Sequence, residues 1–312
     1  MRRILAVLLT TLVLTAAQAG ARTFYLTVAG LGGEPDYEQR FANWAKDLEK
    51  ILKDAGPDAK AITLYGPQAT RERLRSALGE FAKEAGKDDA LVVMLIGHGS
   101  FDGYEYKLNL PGPDITDVEL AELLDRVPAE RQLVVNMSSA SGGSTETLRK
   151  ENRIVITATR SGREQNATVF ARYWVEALRD PAADADKNEM ISALEAFRYA
   201  DQKTAQFYET QKRIATEHPL IEDTGKGEGV RAPSPENGQG LVAARFPVLR
   251  LGDAHAAARD PKKQKLFARK EQIEQEIDRL KYQKAAMPIQ EYRKQLSALL
   301  LELAKTQAEL DQ

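Results

Sequence analysis

The sequence predicts an α/β fold, with a mostly parallel sheet flanked by helices on both faces and a C-terminal helical hairpin. Three patterns lead there. Residues 91–96, 133–135 and 154–156 are uninterrupted apolar, β-branched-rich runs, as expected of strands buried on both faces of a parallel sheet. Amphipathic stretches separate the runs, and strand-helix alternation of this kind belongs to sheets covered on both sides. Beyond Pro261 the chain becomes charged and helical, with two apolar seams whose registers do not join at Pro288.

Taken in order, residues 24–28 read as the first strand, which stops at Gly30, Gly32 and Gly33. Phe41, Trp44, Ala45, Leu48 and Leu52 recur at helical spacing, and Gly56-Pro57 ends that helix. Residues 61–65 form a second strand and residues 70–85 a second helix. The buried runs at 91–96, 133–135 and 154–156 supply three more strands, with helices after each. A polar loop at 180–187 leads into a helix predicted from Glu189 to Ala215. Residues 218–240 hold five glycines and three prolines and read as a long loop. In the last segment Ile273, Ile277, Leu280 and Met287 mark one seam. Ile289, Tyr292, Leu296, Leu299 and Leu303 mark another at alternating spacings of three and four. A break at a proline predicts two antiparallel helices.

The expected organisation is a signal peptide at 1–19, an α/β domain at 20–217, a Gly/Pro-rich loop region at 218–261 and a helical hairpin or coiled coil at 262–312. Arg2 and Arg3 precede an apolar run over residues 4–17, and Ala17-Gln18-Ala19 supplies the small-x-small cleavage pattern of an exported protein. Such a protein is periplasmic or extracellular, with no membrane association after cleavage. Forty-four basic against 46 acidic residues make no electrostatic case for nucleic acid. The absence of cysteine excludes disulfides, thiolate metal sites and thiol nucleophiles.

Two polar clusters follow buried strands: Gly97-His98-Gly99-Ser100, and Ser138-Ser139-Ala140-Ser141-Gly142-Gly143. In open α/β sheets, sites form at the carboxyl ends of strands. If the two strands are neighbours, His98 is placed as a general base and a serine as the nucleophile it activates. Tight turns around a structural histidine are the alternative. Arg160 and Arg163, after the next strand, lie on the same rim and would either read an acidic side chain or pair on the surface.

Residues 91–100 followed by 133–142 resemble the caspase/legumain superfamily, in which one strand ends in His-Gly and the next core strand ends near a catalytic cysteine followed by Ser-Gly. The resemblance spans roughly residues 23–215. It implies that His98 is the family histidine, Gly99 the oxyanion-hole glycine, and Ser139 the residue in the cysteine's place, with Ser138 one position away. The chain departs from the family pattern there, and again at Met137, where an acidic residue commonly stands. A hydroxyl is harder to deprotonate than a thiol and needs a base held by an orienting group. Two readings follow. One is a degenerate peptidase homologue acting in binding or scaffolding, with a peptide or protein ligand in the strand-end cleft. The other is a serine-type endopeptidase or hydrolase using Ser139 and His98. The 262–312 hairpin is a candidate for partner binding or self-association.

A second constellation, residues 184–195, places Asp184, Asp186, Asn188, Ser192 and Glu195 at the oxygen-ligand positions of an EF-hand-like calcium loop, although Glu189 stands where glycine makes the sharp turn. The alternative is a helix cap built from the same residue types. His218 and His255 have no ligand spacing for zinc. Gly30-Leu31-Gly32-Gly33 lacks a full phosphate-binding fingerprint.

Overall fold

The computed structural model describes residues 21–53, 55–56, 58–252, 260 and 263–311. The expected leader at 1–19 and His255 lie outside these residues. Among the described residues no helix is long and apolar enough to cross a membrane.

Six strands form the central sheet: β1 (Thr23–Ala29), β2 (Ala59–Leu64), β3 (Ala90–Ile96), β7 (Arg131–Asn136), β8 (Arg153–Thr157) and β10 (Leu220–Glu222). The order across the sheet is β10-β8-β7-β3-β1-β2, parallel throughout except for β10. Because β3 and β7 are neighbours, with Leu95 paired to Asn136, the two polar clusters emerge side by side at the carboxyl edge.

The apolar runs are continuous because alternate residues feed two separate cores. Val92, Met94, Leu133, Val135, Ile154 and Ile156 face α1 (Pro35–Lys53), α5 (Phe170–Ala177) and α6 (Ala193–Thr210), meeting Leu48, Trp174 and Phe197. Leu91, Val93, Leu95, Val134 and Val155 face α2 (Arg71–Glu84), α3 (Asp117–Asp125) and the single turn α4 (Thr145–Leu148), meeting Leu78, Phe81, Leu124 and Leu148. Thr70 caps α2 by accepting the Arg73 amide through its hydroxyl, and Thr116 caps α3 in the same way.

A small antiparallel sheet of β4 (Gly99–Phe101), β5 (Tyr106–Leu108) and β6 (Ile115–Thr116) follows His98 directly. A two-stranded sheet pairs β9 (Met190–Ser192) with β11 (Pro247–Arg250). The helix predicted from Glu189 to Ala215 therefore starts later and ends earlier. Residues 190–192 are a strand, and Ser192 and Glu195 close a capping box that sets the start of α6.

The 218–261 region also differs from the long loop its composition predicts. Ile221 inserts β10 into the main sheet, and Ala243 of α7 (Leu241–Ala244), Phe246 and Val248 complete the first core. These apolar elements are only three or four residues long, too short for periodicity to reveal among the glycines. Ile221 and Val230 exchange backbone hydrogen bonds in both directions, at 3.0 and 2.9 Å, which covers the free edge of β10.

The C-terminal pair is α8 (Gln264–Gln283) and α9 (Ile289–Leu310), turned back at Pro288. Arg269 pairs with Glu302, and Lys263 Nζ reaches the Leu310 carbonyl, which fixes the antiparallel sense. α8 buries Phe267, Ile273, Ile277 and Leu280. The α9 seam is half-buried at Leu296, Leu299 and Leu303, while Ile289, Leu300 and Leu301 are exposed.

Candidate functional site

His98 sits just past β3, beyond Gly97 at φ 149°. Its ring is half-buried, edge-on to Tyr37 (centroids 4.9 Å, 75°) and to Phe41 (5.2 Å, 70°), both from α1. Burial holds the imidazole below the ordinary histidine value, against a hydrogen bond with the Gly32 backbone and the carboxylates of Glu34 and Glu38. The glycine turn after β1 is itself fixed by Glu38, whose Oε1 accepts the Gly32 amide at 2.8 Å. His98 is thus oriented by a backbone group and two aromatic edges, with no carboxylate bonded to its ring among the described residues.

Ser139 lies on the neighbouring strand end and is 1% exposed. The Gly99 amide donates to Ser139 Oγ at 3.0 Å, and Oγ donates back to the Gly99 carbonyl at 3.1 Å. The structure thus brings Ser139 to Gly99. No hydrogen bond joins Ser139 to the His98 ring among the described residues. The one proton of Ser139 is committed to a carbonyl, and the Gly99 amide that would form an oxyanion hole already has an acceptor. A side chain at position 99 has no room, since a Cβ there would lie 2.5 Å from Tyr106 Cε2 and 2.6 Å from the Ser139 carbonyl oxygen.

Ser138, one position earlier, is fully buried in a polar network. Its Oγ lies 2.6 Å from the Tyr106 hydroxyl and donates to Asn136 Oδ1 at 2.8 Å. Asn136 Nδ2 donates to Ser144 Oγ, which donates to the Ser141 carbonyl. Ser141 Oγ accepts the Thr159 amide at 3.1 Å, and the Gly142 amide donates to Thr159 Oγ1 at 2.8 Å. Burial pushes the Tyr106 phenol up to about 12, so it stays a donor. The run of serines serves to satisfy buried backbone and side-chain groups at the end of β7, where an apolar turn would leave them unpaired.

Above this network stands Phe101. A Cβ on Gly162 would come within 2.2 Å of Phe101 Cγ, and one on Gly143 within 2.6 Å of Cδ2. The ring occupies the strand-end space beside the Ser141-Gly142-Gly143 turn. Among the turns that follow β1, β4 and β8, Leu31, Tyr104 (96% exposed) and Arg160 are exposed.

Sequence reasoning missed a second histidine cluster on this rim. Glu164 Oε1 lies 2.5 Å from His218 Nδ1, and Glu164 Oε2 accepts the His218 amide at 3.2 Å. Arg160 Nε pairs with the same carboxylate at 3.1 Å, so the rim arginine is engaged in a surface ion pair. The Glu164 carbonyl accepts the amide of Ala140 at 2.7 Å. Ala140 holds a left-handed φ of 57°, and this bond fixes that unfavourable turn. Glu164 and His218 are 54 residues apart in irregular segments, so no periodicity or spacing signals the pair. Phe101 and Tyr106 were missed because β4 and β5 are only three residues long, too short for a strand pattern to show.

The 184–195 loop gathers Asp184, Asp186 and Glu195, whose carboxylate oxygens lie within 4.8 Å of one another. Although Asp186 reaches the surface, desolvation of its carboxylate and the carboxylates of Glu195, Asp278 and Asp184 push it up to about 6. Glu189 makes the sharp turn at φ 67° without glycine. Ser192 and Glu195 form the α6 cap, with Ser192 Oγ 2.8 Å from Glu195 Oε2 and Glu195 Oε1 accepting the Ala185 amide at 2.9 Å. Asn188 Oδ1 accepts the Met190 amide. The helix-cap arrangement is thus formed, and three carboxylates still converge beside it.

No protein-family model matches the chain, and no curated protein sequence is similar to it. Solved structures with a similar chain path include caspase-1 from Spodoptera frugiperda, with 15% identity over 65% of this chain and 87% of that one, TM-score 0.46. The Drosophila initiator caspase Dronc has 9% identity over 66% and 81%, TM-score 0.43. A protein of Geobacter sulfurreducens has 14% identity over 69% and 95%, TM-score 0.45. The chain is similar to these in trace alone, and the likeness assigns no role to any residue.

Proposed function

We propose that the chain is an exported caspase/legumain-like domain that has lost peptidase chemistry, and that it binds a peptide or protein segment along the rim of the strand-end cleft. The observation that carries this reading is the reciprocal bonding of Ser139 Oγ with the Gly99 amide and carbonyl in a position closed to solvent. A nucleophile must reach both its base and its substrate; Ser139 meets neither requirement. His98, held below the ordinary histidine value by burial, has no carboxylate bonded to its ring among the described residues to stabilise an imidazolium. Exposed Tyr104 and Leu31 offer apolar contact of the kind that peptide recognition uses. The hairpin is assigned to interaction or self-association, favoured by exposed Leu300 and Leu301. Calcium at 184–195 is favoured by the convergence of three carboxylates.

The test is labelling of purified protein with a fluorophosphonate serine-hydrolase probe, beside Ser139→Ala and His98→Ala variants, with and without calcium. The expected result is no labelling in any sample. Labelling of the parent chain that disappears in both variants would establish the competing serine-hydrolase reading and sink this one.

A further inference from the structure

Near the C-terminal end of α6, a cavity of about 250 Å³ is lined by Thr204, Tyr208, Glu209, Arg213, Glu217 and Arg231. Thr204 is 2% exposed, and its Oγ1 is buried with no hydrogen-bond partner. That is unusual, because a helical threonine ordinarily bonds the carbonyl one turn back and a buried hydroxyl left unpaired is costly. The hydroxyl's neighbours on the cavity side are already engaged. Tyr208 Oη donates to Glu217 Oε1 at 2.9 Å, and Arg231 Nε is shared between the two carboxylate oxygens of Asp201 at 3.1 and 3.3 Å. Glu209 and Arg213, by contrast, are exposed side chains with no hydrogen bond or ion pair among the described residues. The lining therefore combines a buried hydroxyl without a partner and two exposed side chains of opposite charge.

We propose that this cavity binds a small zwitterion, an α-amino acid with an apolar side chain. Arg213 takes the ligand carboxylate, Glu209 the ammonium, and Thr204 supplies the buried hydrogen bond it does not make within the protein. The side chain rests against the methyls of Ala205 and Ala215 and the Tyr208 ring. The volume is below the usual range of roughly 300–1,000 Å³ for drug-sized ligands, which suits a single amino acid and excludes a folded or extended peptide. Its lining includes none of His98, Gly99 or Ser139, so this inference stands whether or not the strand-end cleft binds peptide.

The test is isothermal titration of the full chain with L-leucine, with isovalerate (no ammonium) and isopentylamine (no carboxylate) as matched probes. Thr204→Val keeps the shape and removes only the unpaired hydroxyl, so it folds with undiminished stability. L-Leucine is expected to bind the parent chain and to lose about tenfold in affinity to Thr204→Val, with a larger loss to Arg213→Ala and none of comparable strength for either single-charge probe. No binding of leucine at millimolar concentration, equal binding by a folded Thr204→Val, or equal binding of isovalerate each overturns the proposal.

Discussion

The carboxylate of Glu217 receives the Val169 amide at 2.8 Å, just before the first turn of α5, and lies almost wholly inside the protein. Burial raises it to about 7, more than the Val169, Tyr208 and Phe170 hydrogen bonds can offset. Its folded value therefore exceeds its unfolded one. Between about pH 4.5 and 7 the folded chain keeps a proton that the unfolded chain releases, so stability falls as pH rises through that window. Glu274 on α8, also raised by burial to about 7, acts in the same direction. Thermal melting is expected to be higher at pH 5 than at pH 8, with Glu217 contributing up to about 3 kcal/mol. Glu217→Gln should flatten the profile. A melting temperature that climbs from pH 5 to 8 would contradict the assignment.

Ser139→Cys gives a second test of the closed site. The chain has no cysteine, so the new thiol is the sole target for iodoacetamide. Seclusion at the Gly99 backbone predicts negligible modification of the folded protein and full modification in denaturant. Rapid labelling of the native variant would mean that the serine position opens to solvent.

Ser139→Ala leaves the Gly99 amide and carbonyl without partners in a dry environment. A loss of about 1–3 kcal/mol in stability is expected, measured by urea unfolding. A neutral result would remove the structural role argued for the hydroxyl.

Gly162→Ala sets a methyl against the Phe101 ring at a distance no real contact allows. Overpacking of this kind costs roughly 1–3 kcal/mol, and Phe101→Leu in the same chain is expected to recover part of it. Additive losses in the double variant would show that the two residues do not oppose each other.

Calcium titration distinguishes the two readings of residues 184–195. Bound cation would raise the melting temperature by mass action, and Asp186→Asn would abolish the rise without shifting the calcium-free value much. No response in the parent chain leaves the loop as the α6 cap alone.

Much of the architecture was legible because its signals are periodic. The runs at 91–96 and 133–135 revealed doubly covered parallel strands, while their adjacency, which puts His98 and Ser139 on one edge, came from the sheet order. The phase break at Pro288 revealed the turn between α8 and α9. What could not be read depends on contacts between distant, irregular segments. Ile221 sits in a stretch whose glycines and prolines read as loop, yet it joins the main sheet. Glu164 and His218 meet only after the chain has passed through α5 and α6. Which way the Ser139 hydroxyl points is decided by one backbone amide forty residues earlier, and no local pattern encodes that direction.

The mutual bonding of Ile221 and Val230 has a consequence for how copies of this chain meet. An exposed strand edge is a template on which another molecule can add a strand. Here the outermost strand on one side of the sheet is already matched by the chain's own following segment. Intermolecular growth from that side must first unzip this segment, so it faces a barrier absent from a bare edge. At the opposite margin, Lys60 of β2 points onto the sheet face, where it pairs with Glu80 and Glu84 of α2. The sheet is thereby guarded on the β10 side by a strip of its own backbone, and fibre-like addition of native molecules is disfavoured from that direction.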